Sequence, residues 1–77
     1  MPYSADKLKI NESAIILEVL ESPLKINLLE MGFLPGKELR LLHAAPFNGP
    51  LAFKIDGTTL ALRISEASLI KIKGNID

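Results

Sequence analysis

The sequence predicts a small all-β (mainly β) protein, a closed barrel of five short strands with one short α-helix after the first strand. Two observations carry this expectation. Apolar residues recur at alternate positions in several short runs, and tight-turn signals such as Pro35-Gly36 and Asp56-Gly57 separate those runs. One stretch alone, opened by Ser22-Pro23 and closed by Gly32, carries the punctuation of a helix longer than a single turn. Closure is favoured because so short a sheet would otherwise expose two edges.

The elements follow in order. Residues 1–7 are polar and read as a loose N-terminal arm. Ala14 to Leu20 is aliphatic, with Ile15, Ile16 and Val19, and reads as the first strand. Ser22 offers a cap for exposed N–H groups, and Pro23 suits a first helical turn, where no N–H partner is needed. The helix is therefore expected over Pro23 to Met31. Gly32 stops it, because glycine takes the left-handed conformation without steric cost, and Phe33 is placed to fold back on the last turn. Leu34-Pro35-Gly36-Lys37 reads as a type II turn, with proline at its first central position and glycine at the positive φ of its second.

Glu38 to Ala44 is the next strand, with Leu39 and Leu41 on one face and Glu38 and Arg40 on the other. Ala45-Pro46-Phe47-Asn48-Gly49-Pro50 is a loop set by two prolines and Asn-Gly. Leu51, Phe53 and Ile55 alternate with Ala52 and Lys54, Asp56-Gly57 makes a type I′ hairpin, and Thr58 to Ile64 returns. Ser65-Glu66-Ala67 reads as one capped helical turn. In Leu69 to Lys73, Ile70 and Ile72 point inward, with Lys71 and Lys73 outward. An SH3-like barrel satisfies this count, and the OB-fold, also five-stranded, is the nearest competitor.

Composition narrows function. The 77 residues are expected to form a single domain, and 48% of them are apolar, which excludes a disordered interaction tail. There is no cysteine, hence no disulfide framework, thiolate nucleophile or Cys-based metal site. A small domain without such staples suits a reducing, cytoplasmic setting. Nine Lys+Arg balance nine Asp+Glu, which argues against a nucleic-acid partner. No signal-like or membrane-spanning run is expected, so the chain should not insert into a membrane.

Catalysis finds little support. Ser22 and Ser65 have better uses as helix caps than as nucleophiles. Gly32-Phe33-Leu34-Pro35-Gly36 lacks the Gly-Lys-Ser/Thr ending of a phosphate loop and does not run from a strand into a helix. Arg40 and Arg63 are the available candidates for an arginine acting in trans on a partner GTPase, against the plainer reading of a solvated strand face. His43, the one histidine, is a weak metal candidate, with Glu30, Glu38 and Glu66 as conceivable carboxylate partners. One imidazole without thiolates predicts no tightly bound cofactor and at most weak contact with a transition-metal ion such as Fe²⁺. Tyr3, Phe33, Phe47 and Phe53 are too scattered for a proline-binding groove.

At 100° per residue, Leu24, Leu28 and Met31 form one stripe of the helix, while Ile26 and Leu29 lie almost opposite. The first is expected to face the core. The second, Ile26 and Leu29, either meets the arm or is open to a partner. The loop residues Pro46, Phe47, Asn48, Gly49 and Pro50 are the second candidate contact. Gly32, Pro35, Gly36 and Gly57 are structural turn positions.

The run from Leu28 to Gly36, Leu-Leu-Glu-Met-Gly-Phe-Leu-Pro-Gly, resembles the signature of the FeoA family. The loop from Ala45 to Pro50 and the strand Leu60-Ala61-Leu62-Arg63, followed by Glu66-Ala67, match that family in order and spacing. The likeness extends from about Leu8 to Lys73. Asn11 stands where such sequences often have glycine, and Asn tolerates a left-handed backbone better than most residues. The resemblance implies an SH3-like barrel and a cytoplasmic accessory role in bacterial ferrous iron uptake. It also implies a partner, the cytosolic region of FeoB, the membrane iron transporter with a G domain. The alternative it implies is a metal-responsive regulatory module like the SH3-like domain at the C-terminus of DtxR-type repressors.

Overall fold

A computed structural model describes residues 2–74. Six strands form one antiparallel sheet: β1 (Tyr3–Ser4), β2 (Ser13–Val19), β3 (Glu38–Ala44), β4 (Leu51–Ile55), β5 (Thr58–Leu62) and β6 (Ile70–Gly74). Their order across the sheet is β1-β6-β2-β3-β4-β5. Two short helices, α1 (Lys25–Glu30) and α2 (Ile64–Ala67), and a 3-10 turn over Ala5–Lys7 complete the fold. It is the expected mainly β, SH3-like architecture with one more strand than the sequence predicts.

The extra strand corrects the reading of residues 1–7 as a loose arm. Tyr3 and Ser4 pair with Ile72 and Lys71 of β6. Ala5 is wholly buried and Leu8 nearly so. These two apolar side chains, three positions apart, anchor the segment through burial, although a two-residue strand is too short to leave a period in sequence.

The helix is shorter than expected. Ser22 Oγ accepts a hydrogen bond from the Leu24 N–H at 3.2 Å, so Ser22-Pro23 shapes a turn ahead of α1 rather than its first turn. Its end is as expected. The Gly32 N–H bonds to the Leu29 carbonyl at 3.0 Å and the Phe33 N–H to the Leu28 carbonyl at 3.1 Å, the two bonds of a Schellman cap. Gly32 has φ +111°. Phe33 and Leu28 are both buried at that cap.

The helix stripes are corrected too. Leu28 is buried, but Leu24 and Met31 are 38% and 41% exposed. Leu29, expected on the far side, packs against the core. In so short a helix the tilt of the element on the barrel, rather than its own period, decides which side chains are covered.

The turns hold. Gly36 has φ +90°, and the Lys37 N–H bonds to the Leu34 carbonyl at 3.1 Å. Asp56 and Gly57 both have positive φ, as a type I′ hairpin requires. Asn11 sits at φ +69°, where Asn substitutes for glycine. The expected strand ending at Ile64 instead stops at Leu62, and Ile64 opens α2. There Glu66 Oε1 accepts the Arg63 N–H at 2.8 Å.

Phe33, Phe53, Ile16, Leu39, Leu62, Ile70 and Ile72 fill the interior. Phe33 and Phe53 meet edge to face, with centroids 6.3 Å apart. β1 and β5 are the two ends of the sheet, and α2 packs on both β5 and the 3-10 turn after β1. The gap between the sheet's edges is thus spanned by helix.

Candidate docking surface

The connection between β3 and β4 carries the least expected local geometry. The Ala45 N–H bonds to the Pro50 carbonyl at 2.9 Å, and the Gly49 N–H to the Pro46 carbonyl at 3.1 Å. Pro46-Phe47-Asn48-Gly49 is therefore a tight turn. Its two central residues are Phe47 and Asn48, both at φ +59°. That conformation suits Asn, but for a bulky aromatic it is an outlier that costs about 1–2 kcal/mol. A Cβ on Gly49 would lie 2.7 Å from the Ala45 Cβ, so the turn also requires glycine there, for space rather than for φ.

The turn gives its aromatic nothing in return from the barrel. Phe47 is 98% exposed. Pro46, Asn48 and Pro50 are exposed as well. Beside the tip lies an open depression of about 370 Å³ lined by Asn48, Gly49, Pro50, Arg63, Ile64 and Ser65. A hydrogen-bonded loop thus holds a protruding ring next to a shallow hollow at the start of α2.

The other candidates separate. Ile26 is 67% exposed, whereas Leu29 is half-buried against the core, so the pair does not form one open patch. Around α1 the exposed apolar residues are instead Leu24, Ile26, Met31 and Leu34. Sequence reasoning missed Leu24 and Met31 as surface residues, and the brevity of the helix was the available warning. His43 is exposed. A bulge at Leu42 ends the inward alternation of Leu39 and Leu41 before it reaches His43. Among the described residues no group of three or more His, Asp or Glu side chains could hold a metal ion. Arg40 and Arg63 are exposed, on β3 and ahead of α2. No helix among the described residues is long and apolar enough to cross a membrane.

A covered barrel with a projecting aromatic loop defines a small SH3-like protein whose distinguishing features lie on its surface. A family model described as FeoA domain matches residues 4–74. The chain belongs to the FeoA family. The "Putative Fe(2+) transport protein A" of Campylobacter jejuni is 31% identical over 68 residues, covering 87% of this chain and 92% of that one. A FeoA-like protein from Clostridium acetobutylicum superimposes with a TM-score of 0.90 at 25% identity, covering 99% of this chain and 90% of the other. The FeoA of Stenotrophomonas maltophilia, solved with zinc and described as an SH3 domain protein, does so at 0.82 and 29% identity, covering 91% and 88%. A manganese-dependent transcriptional repressor gives 0.85 at 16% identity over 95% of this chain and 41% of its own, a likeness of fold alone.

Proposed function

We propose that this protein is a non-catalytic, cytoplasmic accessory component of ferrous iron uptake. It binds and tunes the FeoB-type membrane transporter through that transporter's cytosolic region. The observation that carries the docking reading is Phe47, an almost fully exposed ring held on a left-handed backbone that the barrel itself does not use. Strained, exposed aromatics belong to contact sites, where a buried ring contributes more than most neighbours. The loop Pro46 to Pro50 and the exposed Ile26 are the proposed contacts. Iron is the transporter's cargo in this reading, and a metal ion at His43 would be held weakly or shared between molecules.

A pull-down with the transporter's cytosolic region, with and without guanine nucleotide, tests it. Phe47→Asp should fold normally and lose at least tenfold in retention, and wild-type retention by that variant would discard the loop as the contact. Titration calorimetry tests the metal reading. It should give no sub-micromolar Fe²⁺ or Zn²⁺ site, and finding such a site that His43→Ala abolishes would reverse the conclusion.

A further inference from the structure

The outer face of the sheet carries a charge arrangement that the barrel does not need. Arg40 on β3 and Lys54 on β4 are directly opposite each other in the antiparallel register, and both are exposed. Opposed side chains have Cβ atoms about 4.5–5.5 Å apart, and like charges so placed repel. Nothing on the same row relieves the repulsion. Arg40 faces Ser13 on β2, and Lys54 faces Thr59 on β5. Among the described residues neither cation has a hydrogen bond or an ion pair.

The nearby acids are already engaged. Asp56 Oδ2 is 2.9 Å from Lys37 Nζ. Glu38 has an interaction of its own. With Asp56 held by Lys37, Arg40 and Lys54 remain an exposed like-charged pair. Arg40 and Lys54 also line an open depression of about 350 Å³, together with Glu38, Leu42, Asp56 and Gly57.

We infer that Arg40 and Lys54 form a binding site for a carboxylate side chain of an acidic protein segment. The planar guanidinium grips a carboxylate with two parallel hydrogen bonds, and the Lys54 ammonium adds a third donor. Leu42, half-buried beside the cations, suits an aliphatic residue next to the bound acid. The inference rests on the docking reading for the identity of the partner, and it supplies the chemistry of one contact.

The test is a ¹⁵N NMR titration with the blocked peptide Gly-Glu-Leu-Glu-Gly. Shifts should concentrate on residues 38–42 and 52–57 and vanish at high salt, where exposed charges are screened. Arg40→Gln with Lys54→Gln should weaken binding at least tenfold, while Lys7→Gln with Lys9→Gln should leave it unchanged. Peptide shifts elsewhere, equal binding by the two double variants, or tighter binding at this patch by inorganic phosphate or octathymidylate would overturn the inference. Because the pair is repulsive in the free protein, Lys54→Glu should raise the thermal midpoint by about 1–5 °C, and a lowered midpoint would also overturn it. The transporter pull-down separates the two readings. Wild-type protein failing to bind the transporter's cytosolic region counts against the docking reading. Arg40→Gln with Lys54→Gln binding that region as wild type does counts against this site.

Discussion

Phe47 and Gly32 both hold the backbone at positive φ, and replacing them should move stability in opposite directions. A Cβ on Gly32 or on Gly36 meets nothing within 4 Å. The penalty there is backbone strain alone, so Gly32→Val and Gly36→Val should each cost about 1–3 kcal/mol. Phe47→Asn relieves the same strain and should add about 1 kcal/mol while weakening the proposed contact with the transporter. Urea midpoints measure both, and a Phe47→Asn variant less stable than wild type would show that the ring supports the fold. The two glycines are legible in sequence because turn chemistry is local. The β3–β4 connection was legible only as a loop: two prolines and Asn-Gly do not fix its centre, which the structure places at Phe47 and Asn48, with Gly49 packed close to the Ala45 Cβ.

α1 divides sharply into residues that hold the protein together and residues that do not. Leu28 sits under the Schellman cap with Phe33 and is 2% exposed. Leu28→Ala should cost about 2–5 kcal/mol. Leu29→Glu should also destabilise, because it drives a charge toward the core that Leu29 packs on. Ile26→Glu should leave the thermal midpoint nearly unchanged and impair the proposed binding to the transporter. An Ile26→Glu variant that unfolds would show that Ile26 packs against the barrel. The strands of the β3-β4-β5 meander were legible almost to the residue, because Leu39 and Leu41, and then Leu51, Phe53 and Ile55, each keep a period of two. The buried face of α1 was not, since six residues hold fewer than two full turns and the barrel sets the tilt.

At the scale of the whole molecule the N-terminal segment is part of the sheet, and its titration should report that. Burial, then the charge of Glu12, then the hydrogen bond from Tyr3 Oη to Glu12 Oε2 at 3.3 Å raise the Tyr3 phenol above its ordinary 10.0. A pKa raised by folding favours the neutral phenol in the native state. Its contribution is therefore complete below pH 10 and lost as pH climbs through the raised folded value. Thermal midpoints should fall above pH 10 in the wild type and fall less in Tyr3→Phe; equal alkaline slopes would contradict the docked arm. The arm escaped sequence reasoning because its strand, Tyr3–Ser4, exists only by pairing with β6, at the other end of the chain.

That pairing bears on the order in which the protein can be made. β6 lies between β1 and β2, so the centre of one side of the sheet is supplied by the last strand. During synthesis the β3-β4-β5 meander can assemble from neighbours in sequence. β2 must wait with one side unpaired until residues 70–74 emerge from the ribosome, and β1 forms only once they are in place. Until then Ile16 and Val19 of β2 lack the β6 partners Ile72 and Ile70 that they face in the finished sheet. The nascent chain thus carries an open seam along β2, and the docking of β6 is the event that zips it shut.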